Sequence, residues 1–435
     1  MTGILAHGIG GRIDLPVPRW LFVYGAATAV VISFVALAVL WREPRLQQLR
    51  EGRALPAFLE RLLTSRLIER ILRWGFFGLF VILVVGALTG SPQISRNIVP
   101  VFVYVWFWIG LAFLHAIFGN LWATISPFDT IGRLMGLERA RRPYPKSWGK
   151  WPAAFLLLGF VWMELVDPSG ATPRSVGAAM VVYTVLMVVG MAVFGRKQWL
   201  ENGDGFGVYF GLLSRIAPFD RDRRGRVVVR PVLGGLPSLP PQPGLIAFVM
   251  VLLGSTTFDG ASRSNFWQSL TGSLTGAPEL LAGTAGLLAV IGAVALAYTL
   301  AMSAAGAITR SPWHPLAVRF VHSLVPIAFA YVVAHYFSLL VIEGQQVLVL
   351  MSDPFGLGFD LFGTASWSIN LGLVSATTIW YVQVTAIVAG HVGGVVLAHD
   401  RAIAIFPQEI ALRTQYALLA VMVLFTITGL LILSG

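Results

Sequence analysis

Two histidines stand inside one apolar segment of the chain, FVHSLVPIAFAYVVAHYFSLL at 320–340. The segment is long enough to cross a bilayer, for which about 20 apolar residues suffice. A histidine within lipid is costly unless a partner satisfies its ring nitrogens. His322 and His335 are 13 residues apart, which places them about 20 Å apart along a helix. The spacing therefore predicts two separate polar sites at two depths of the membrane.

Three histidines from three segments are predicted to share the inner of these depths. His322 stands four residues before Pro326, whose missing N–H leaves the His322 carbonyl without its helical partner and kinks the helix. His391 lies within a Gly-x-x-x-Gly spacing that lets a neighbouring backbone approach closely, and His115 ends another apolar run at a similar depth. We predict that His322, His391 and His115 bind one divalent metal ion or one b-type haem. The alternative is three separate histidines bonded to backbone carbonyls or hydroxyls.

The outer depth offers a different chemistry. Asp259 ends another apolar run near the level of His335, and Tyr331 shares a helix face with that histidine because it lies four residues earlier. A histidine with a carboxylate can hold zinc or a similar ion and activate a water molecule. We predict His335 and Asp259 as catalytic residues. The alternative is a pair of ordinary polar side chains at the membrane surface.

The composition dictates which elements must position these residues. The chain is 56% hydrophobic and only 12% charged, which is typical of a polytopic membrane protein rather than a soluble domain. We predict an all-α transmembrane helix bundle that forms one integral membrane domain, 1–435. The ten predicted spans are 19–41, 74–90, 98–119, 151–166, 175–195, 244–260, 281–305, 317–340, 371–397 and 414–434.

Basic residues set the predicted orientation. The net charge is +11, and 26 of the 31 Lys and Arg collect in loops on one side, chiefly 42–73, 120–150 and 196–243. The positive-inside rule makes that side cytoplasmic, in the cell inner membrane, with both termini outside and with outer loops at 261–280 and 341–370. Loop 42–73 alternates Arg and Glu beside Leu and Ile, a pattern that indicates interfacial amphipathic helix. On the outer side the basic residues are only Arg12, Arg19, Arg96, Arg174 and Arg263.

Several function classes are excluded or disfavoured. The chain has no cysteine, which excludes disulfides, iron–sulfur clusters and covalently attached haem. Its basic excess follows membrane topology, so we expect contact with anionic lipid rather than with nucleic acid. The sequence holds no Walker-type phosphate loop and no Gly-x-Ser-x-Gly nucleophile elbow. The first residues lack the basic and apolar regions of a signal peptide, and we expect a short outer tail there.

Four segments resemble a known family. AHGIGGRIDLPVPRWLFVYGA, FGRKQWLENGDGFGVYFGLLSRIAP, PIAFAYVVAHY and GHVGGVVLAHDRA are similar to sequences of bacterial multi-pass proteins labelled fenitrothion hydrolase. The likeness extends over nearly the whole chain. It implies hydrolysis of an aryl phosphotriester and gives no catalytic residues to carry over.

The sequence leaves three functions open. The first is a metal-assisted membrane hydrolase that acts on a small apolar ester or phosphoester through His335 and Asp259. The second is a carrier or handler of haem, copper or another small ligand through His322, His391 and His115. The third is a structural subunit that meets partner proteins in a larger membrane complex.

Overall fold

A computed structural model describes residues 18–48, 52–56, 58, 60–61, 64–222 and 225–433. His7 and Asp14, which the outer-tail prediction includes, lie outside these ranges. The described chain is a helical bundle, as predicted. Its long helices are α1 Arg19–Leu40, α2 Arg66–Thr89, α3 Ile98–Phe118, α4 Trp151–Leu165, α5 Pro173–Phe194, α6 Leu245–Ala261, α7 Ala277–Thr309, α8 Trp313–Leu350, α9 Ala376–Ile405 and α10 Gln408–Leu433.

Eight of these helices are long and apolar enough to cross a membrane, within the described residues. A ninth span arises if α6 is counted with the short helix Asn265–Thr271, from which it is bent by 82°. Helix α4 is apolar but shorter. Many apolar helices of membrane length are compatible with a multi-pass membrane protein. A helix stands at each of the ten predicted segments.

Two predicted boundaries are wrong. Helix α2 begins at Arg66 instead of 74, so the end of the predicted loop 42–73 is part of a long helix. Arg, Leu and Glu are all strong helix formers, and long basic side chains reach toward water from a helix end. At the opposite end, α8 continues to Leu350, which shortens the predicted outer loop 341–370 to 351–375.

The basic loops fold into short elements. Strands Arg53–Ala54, Phe219–Arg221 and Val227–Val229 form a small antiparallel sheet with the third strand in the middle. Short helices occupy Trp122–Ile125, Pro127–Leu134, Arg196–Asn202 and Gly205–Leu213. We call the end of the bundle that carries these elements the basic end.

Helices α8 and α9 form the centre of the bundle. They run side by side over most of their length, and a Cβ added to Gly390 would come within 2.2 Å of the Ala330 side chain. The close approach predicted from the Gly-x-x-x-Gly spacing is thus confirmed. Near His322 the helix tightens into a 3₁₀ turn at Val321–Leu324, and the His322 carbonyl accepts from Val325 N; the kink predicted there stays a prediction.

Candidate functional site

The far end of the bundle carries a buried carboxylate. Asp259 lies in the last turn of α6, its residue is 2% exposed, and α6 packs along α8. Its Oδ2 accepts from His335 Nε2 at 2.7 Å and from Tyr336 Oη at 2.8 Å. Its Oδ1 accepts from Arg263 Nη2 at 2.7 Å. The structure therefore brings the two residues predicted as catalytic into direct contact.

Three donors compensate the charge of this carboxylate. A buried ion is tolerated when its partners are close and its lone pairs are satisfied. Arg263 stands four residues after Asp259 and approaches from the partly exposed side, whereas the donors from α8 approach from the interior. In the neutral tautomer that donates its Nε2–H to Asp259, Nδ1 is the basic nitrogen of the His335 ring.

A small cavity adjoins the histidine. It has a volume of about 10 Å³, which is the space of one water molecule. Its lining combines apolar and polar groups: Thr256, Thr257, Tyr331, Ala334, His335, Ile387 and Gly429. The three hydroxyls donate to backbone carbonyls, so only their oxygen lone pairs remain to accept from a water molecule there.

The three histidines predicted as metal ligands share one local geometry. In each of them Nδ1 bonds to a backbone carbonyl of the preceding turn. The distances are 2.6 Å from His115 to Leu111 O, 2.9 Å from His322 to Arg319 O, and 2.8 Å from His391 to Ile387 O. This contact fixes the tautomer with the proton on Nδ1 and leaves Nε2 as an acceptor.

The Nε2 atoms differ in what they meet. His115 Nε2 accepts from the Trp122 backbone N at 2.9 Å, so its lone pair is already used, and its ring stacks on Phe210. The Nε2 atoms of His322 and His391 are buried and have no hydrogen-bond partner within the described part of the chain. A buried polar atom without a partner is uncommon and requires an explanation.

The predicted three-histidine metal site is not assembled. Over the described ranges, no group of three or more His, Cys, Asp or Glu could hold a metal ion. The Trp122 N–H occupies the nitrogen that His115 would need, so His115 does not join the other two. Binding of a metal or haem by His322 and His391 stays a prediction.

Sequence reasoning missed a large cavity at the basic end. Its volume is about 640 Å³, and charged side chains from loops 120–150 and 196–243 line it. Because basic residues in loops also mark membrane orientation, their number gives no sign that they surround a cavity. A usable signal was Asp204, a carboxylate directly before the apolar run 205–213, which the structure buries against Trp122 Nε1 at 2.9 Å.

No family model, no curated protein and no solved structure matches the chain. The likeness to fenitrothion hydrolases therefore stays a prediction. The fold and the contacts described above define the class of the molecule as a multi-helix bundle compatible with membrane insertion.

Proposed function

We propose that this chain is a multi-pass protein of the cell inner membrane that hydrolyses a small apolar ester or phosphotriester near the outer face. The basic end is cytoplasmic in this proposal, and both termini lie outside. One observation carries the hydrolytic function, which is the buried hydrogen bond from His335 to Asp259 beside a cavity of one water. The resemblance to fenitrothion hydrolases supplies the substrate class.

The chemistry assigned to these groups is general base catalysis. Asp259 holds the Nε2–H of His335 and orients the ring, and the basic Nδ1 takes a proton from the water in the adjoining cavity. The water oxygen bonds to phosphorus as the bond from phosphorus to the aryl oxygen breaks. His335 then returns the proton to the departing aryl oxide. Asp259 also stabilises the imidazolium formed between these steps.

A zinc centre does not fit the residues at this site. Catalytic zinc takes three protein ligands and one open position, whereas no group of three or more His, Cys, Asp or Glu among the described residues could hold a metal ion, and three donors already engage Asp259. The activation of water is therefore assigned to His335.

Two substitutions test the proposal. Hydrolysis of an aryl phosphotriester by the purified protein is measured for His335→Ala and, separately, for Asp259→Asn. We expect a loss of about 10²-fold or more, the usual contribution of a general base. The matched control is His314→Ala, which removes an exposed histidine. Unchanged hydrolysis in both site variants would refute the enzymatic proposal.

A second function, a handler of haem or a metal ion, is favoured by one separate observation. His322 and His391 each present a buried Nε2 lone pair without a partner, while Nδ1–H donates to a carbonyl. Histidines that bind metals commonly hold their second ring nitrogen in this way. The test is the metal content and visible spectrum of the purified protein, compared with His391→Leu. Equal metal content and no haem band in both proteins would reject this function.

A further inference from the structure

The cavity at the basic end is lined by six basic and five acidic side chains, and two of its cations form no salt bridge with a described residue. Lys150 Nζ donates to Glu201 O at 2.6 Å and to Asn202 Oδ1 at 3.2 Å, and it forms no salt bridge with a described residue. Arg215 donates to Gly235 O and Ser238 Oγ and likewise has no carboxylate partner in the described chain.

A third cation of this cavity is only partly satisfied. The side chain of Arg230 is 3% exposed and forms an ion pair with Asp220, yet its Nε–H is buried without a partner. Burial and then the nearby charge of Arg230 lower the pKa of Arg215. Burial also lowers the pKa of Lys150 to about 8. Such positive charge favours an anion with several acceptor oxygens.

A second cavity lies beside the first and has the opposite character. Its volume is about 230 Å³, and its walls are almost wholly apolar and aromatic side chains of α2, α3, α4 and α5. Most of these walls belong to the apolar helices, whereas the polar cavity is formed by the loops of the basic end. An amphiphile whose head lies at the membrane surface and whose tail lies in the hydrocarbon has the same arrangement.

The two cavities meet at one side chain. Trp122 lines both of them, and its Nε1 donates to Asp204, which faces the polar cavity. Tyr183 faces the apolar cavity and donates to the same carboxylate at 2.6 Å. The polar cavity and the apolar cavity therefore adjoin at Trp122.

From the paired cavities we propose that the basic end binds one anionic phospholipid, with its phosphate at Lys150, Arg215 and Arg230 and an acyl chain in the apolar cavity. The phosphate oxygens provide the anionic acceptors that Lys150 and Arg215 lack among the described residues. This site is independent of the hydrolytic site proposed above, which lies at the other end of the bundle.

Two glycines allow each half of the site to be filled without disturbing the hydrogen bonds around it. Gly159 lines the apolar cavity and Gly211 lines the polar one, and a Cβ at either position meets no atom within 4 Å. Gly159→Leu blocks the tail, and Gly211→Glu places a negative charge beside the head. The controls are Gly372→Glu, which adds the same charge in the exposed loop 351–375, and Gly292→Leu, which fills equally open space on α7.

Native mass spectrometry of the purified protein measures retention of phosphatidylglycerol, with phosphatidylcholine and glycerol phosphate as the two comparison ligands. We expect one phosphatidylglycerol on the wild type and about tenfold weaker retention for Gly159→Leu and Gly211→Glu, with both controls unchanged. Equal retention by all variants would overturn the proposal. Glycerol phosphate that binds as tightly as the lipid would also overturn it, because the tail would then contribute nothing.

Discussion

The two ends of this bundle handle buried charge in opposite ways. At the far end, Asp259 is enclosed by three donors, and a cavity the size of one water molecule adjoins its partner His335. At the basic end, a cavity of about 640 Å³ holds cations with no carboxylate partner among the described residues. A closed, compensated cluster suits a reaction on a small group, whereas an open cluster with excess charge suits a ligand that brings the missing charge.

The largest loss of stability is expected from removing the enclosed carboxylate of Asp259. Asp259→Ala leaves His335, Tyr336 and Arg263 without their common acceptor. We expect a loss of about 3–5 kcal/mol, as for other buried ionic groups that lose one partner, measured by thermal unfolding in detergent. Tyr336→Phe removes one hydrogen bond of the same cluster and is expected to cost only about 1 kcal/mol. Equal melting temperatures for wild type and Asp259→Ala would show that the cluster is not a stabilising unit.

A smaller loss of stability is expected from removing the charge of Asp129, a carboxylate of the basic end that is bound by three arginines. Asp129 accepts from Arg73, Arg133 and Arg196 and joins α2 to the loop helices. Asp129→Asn removes the charge that holds these three arginines together, for an expected cost of about 1–3 kcal/mol. The control is Glu69→Gln, whose carboxylate is half exposed and pairs only with Arg73, for an expected cost below about 1 kcal/mol. A larger loss for Glu69→Gln than for Asp129→Asn would contradict the described network.

The smallest expected effect is a pH dependence of lipid binding at the basic end. The Lys150 ammonium loses its proton near pH 8 instead of 10.5 because burial removes it from water. Its positive charge is therefore present below about pH 8 and disappears as the pH rises through that value. Retention of phosphatidylglycerol is expected to fall by up to about tenfold between about pH 7 and about pH 9.

The groups nearest to this lysine are the carboxylate of Glu201, which favours the charged form, and Arg215, which opposes it. Lys150→Met is expected to bind the lipid weakly at every pH and to lose the pH dependence. A wild-type dependence that survives in Lys150→Met would assign the titration to another group and would contradict the role given to Lys150.

The sequence predicts the depth of residues along the helices better than the direction in which their side chains point. Depth follows from counting residues along apolar runs, so Asp259 and His335 were expected at one level. Their hydrogen bond also depends on how α6 and α8 are rotated about their axes, which one sequence does not determine. The close approach at Gly390 is a local consequence of a single residue and was predicted correctly.

The cluster of cations at the basic end was not predicted from the sequence, for a physical reason. Arg215 and Arg230 are far from Lys150 in the chain and meet it only through the folding of two separate loops. His115 was grouped with His322 and His391 by depth, and only the structure shows that the Trp122 N–H already occupies its nitrogen.

The most direct test of the central claim is chemical rescue of His335→Ala. If His335 is the base that activates water, the variant should hydrolyse an aryl phosphotriester about 10²-fold more slowly than the wild type. Added imidazole, which fits the space left by the ring, should restore part of the rate while the melting temperature stays the same. A wild-type rate in His335→Ala, or a loss of rate that imidazole does not relieve in a folded protein, would contradict the account.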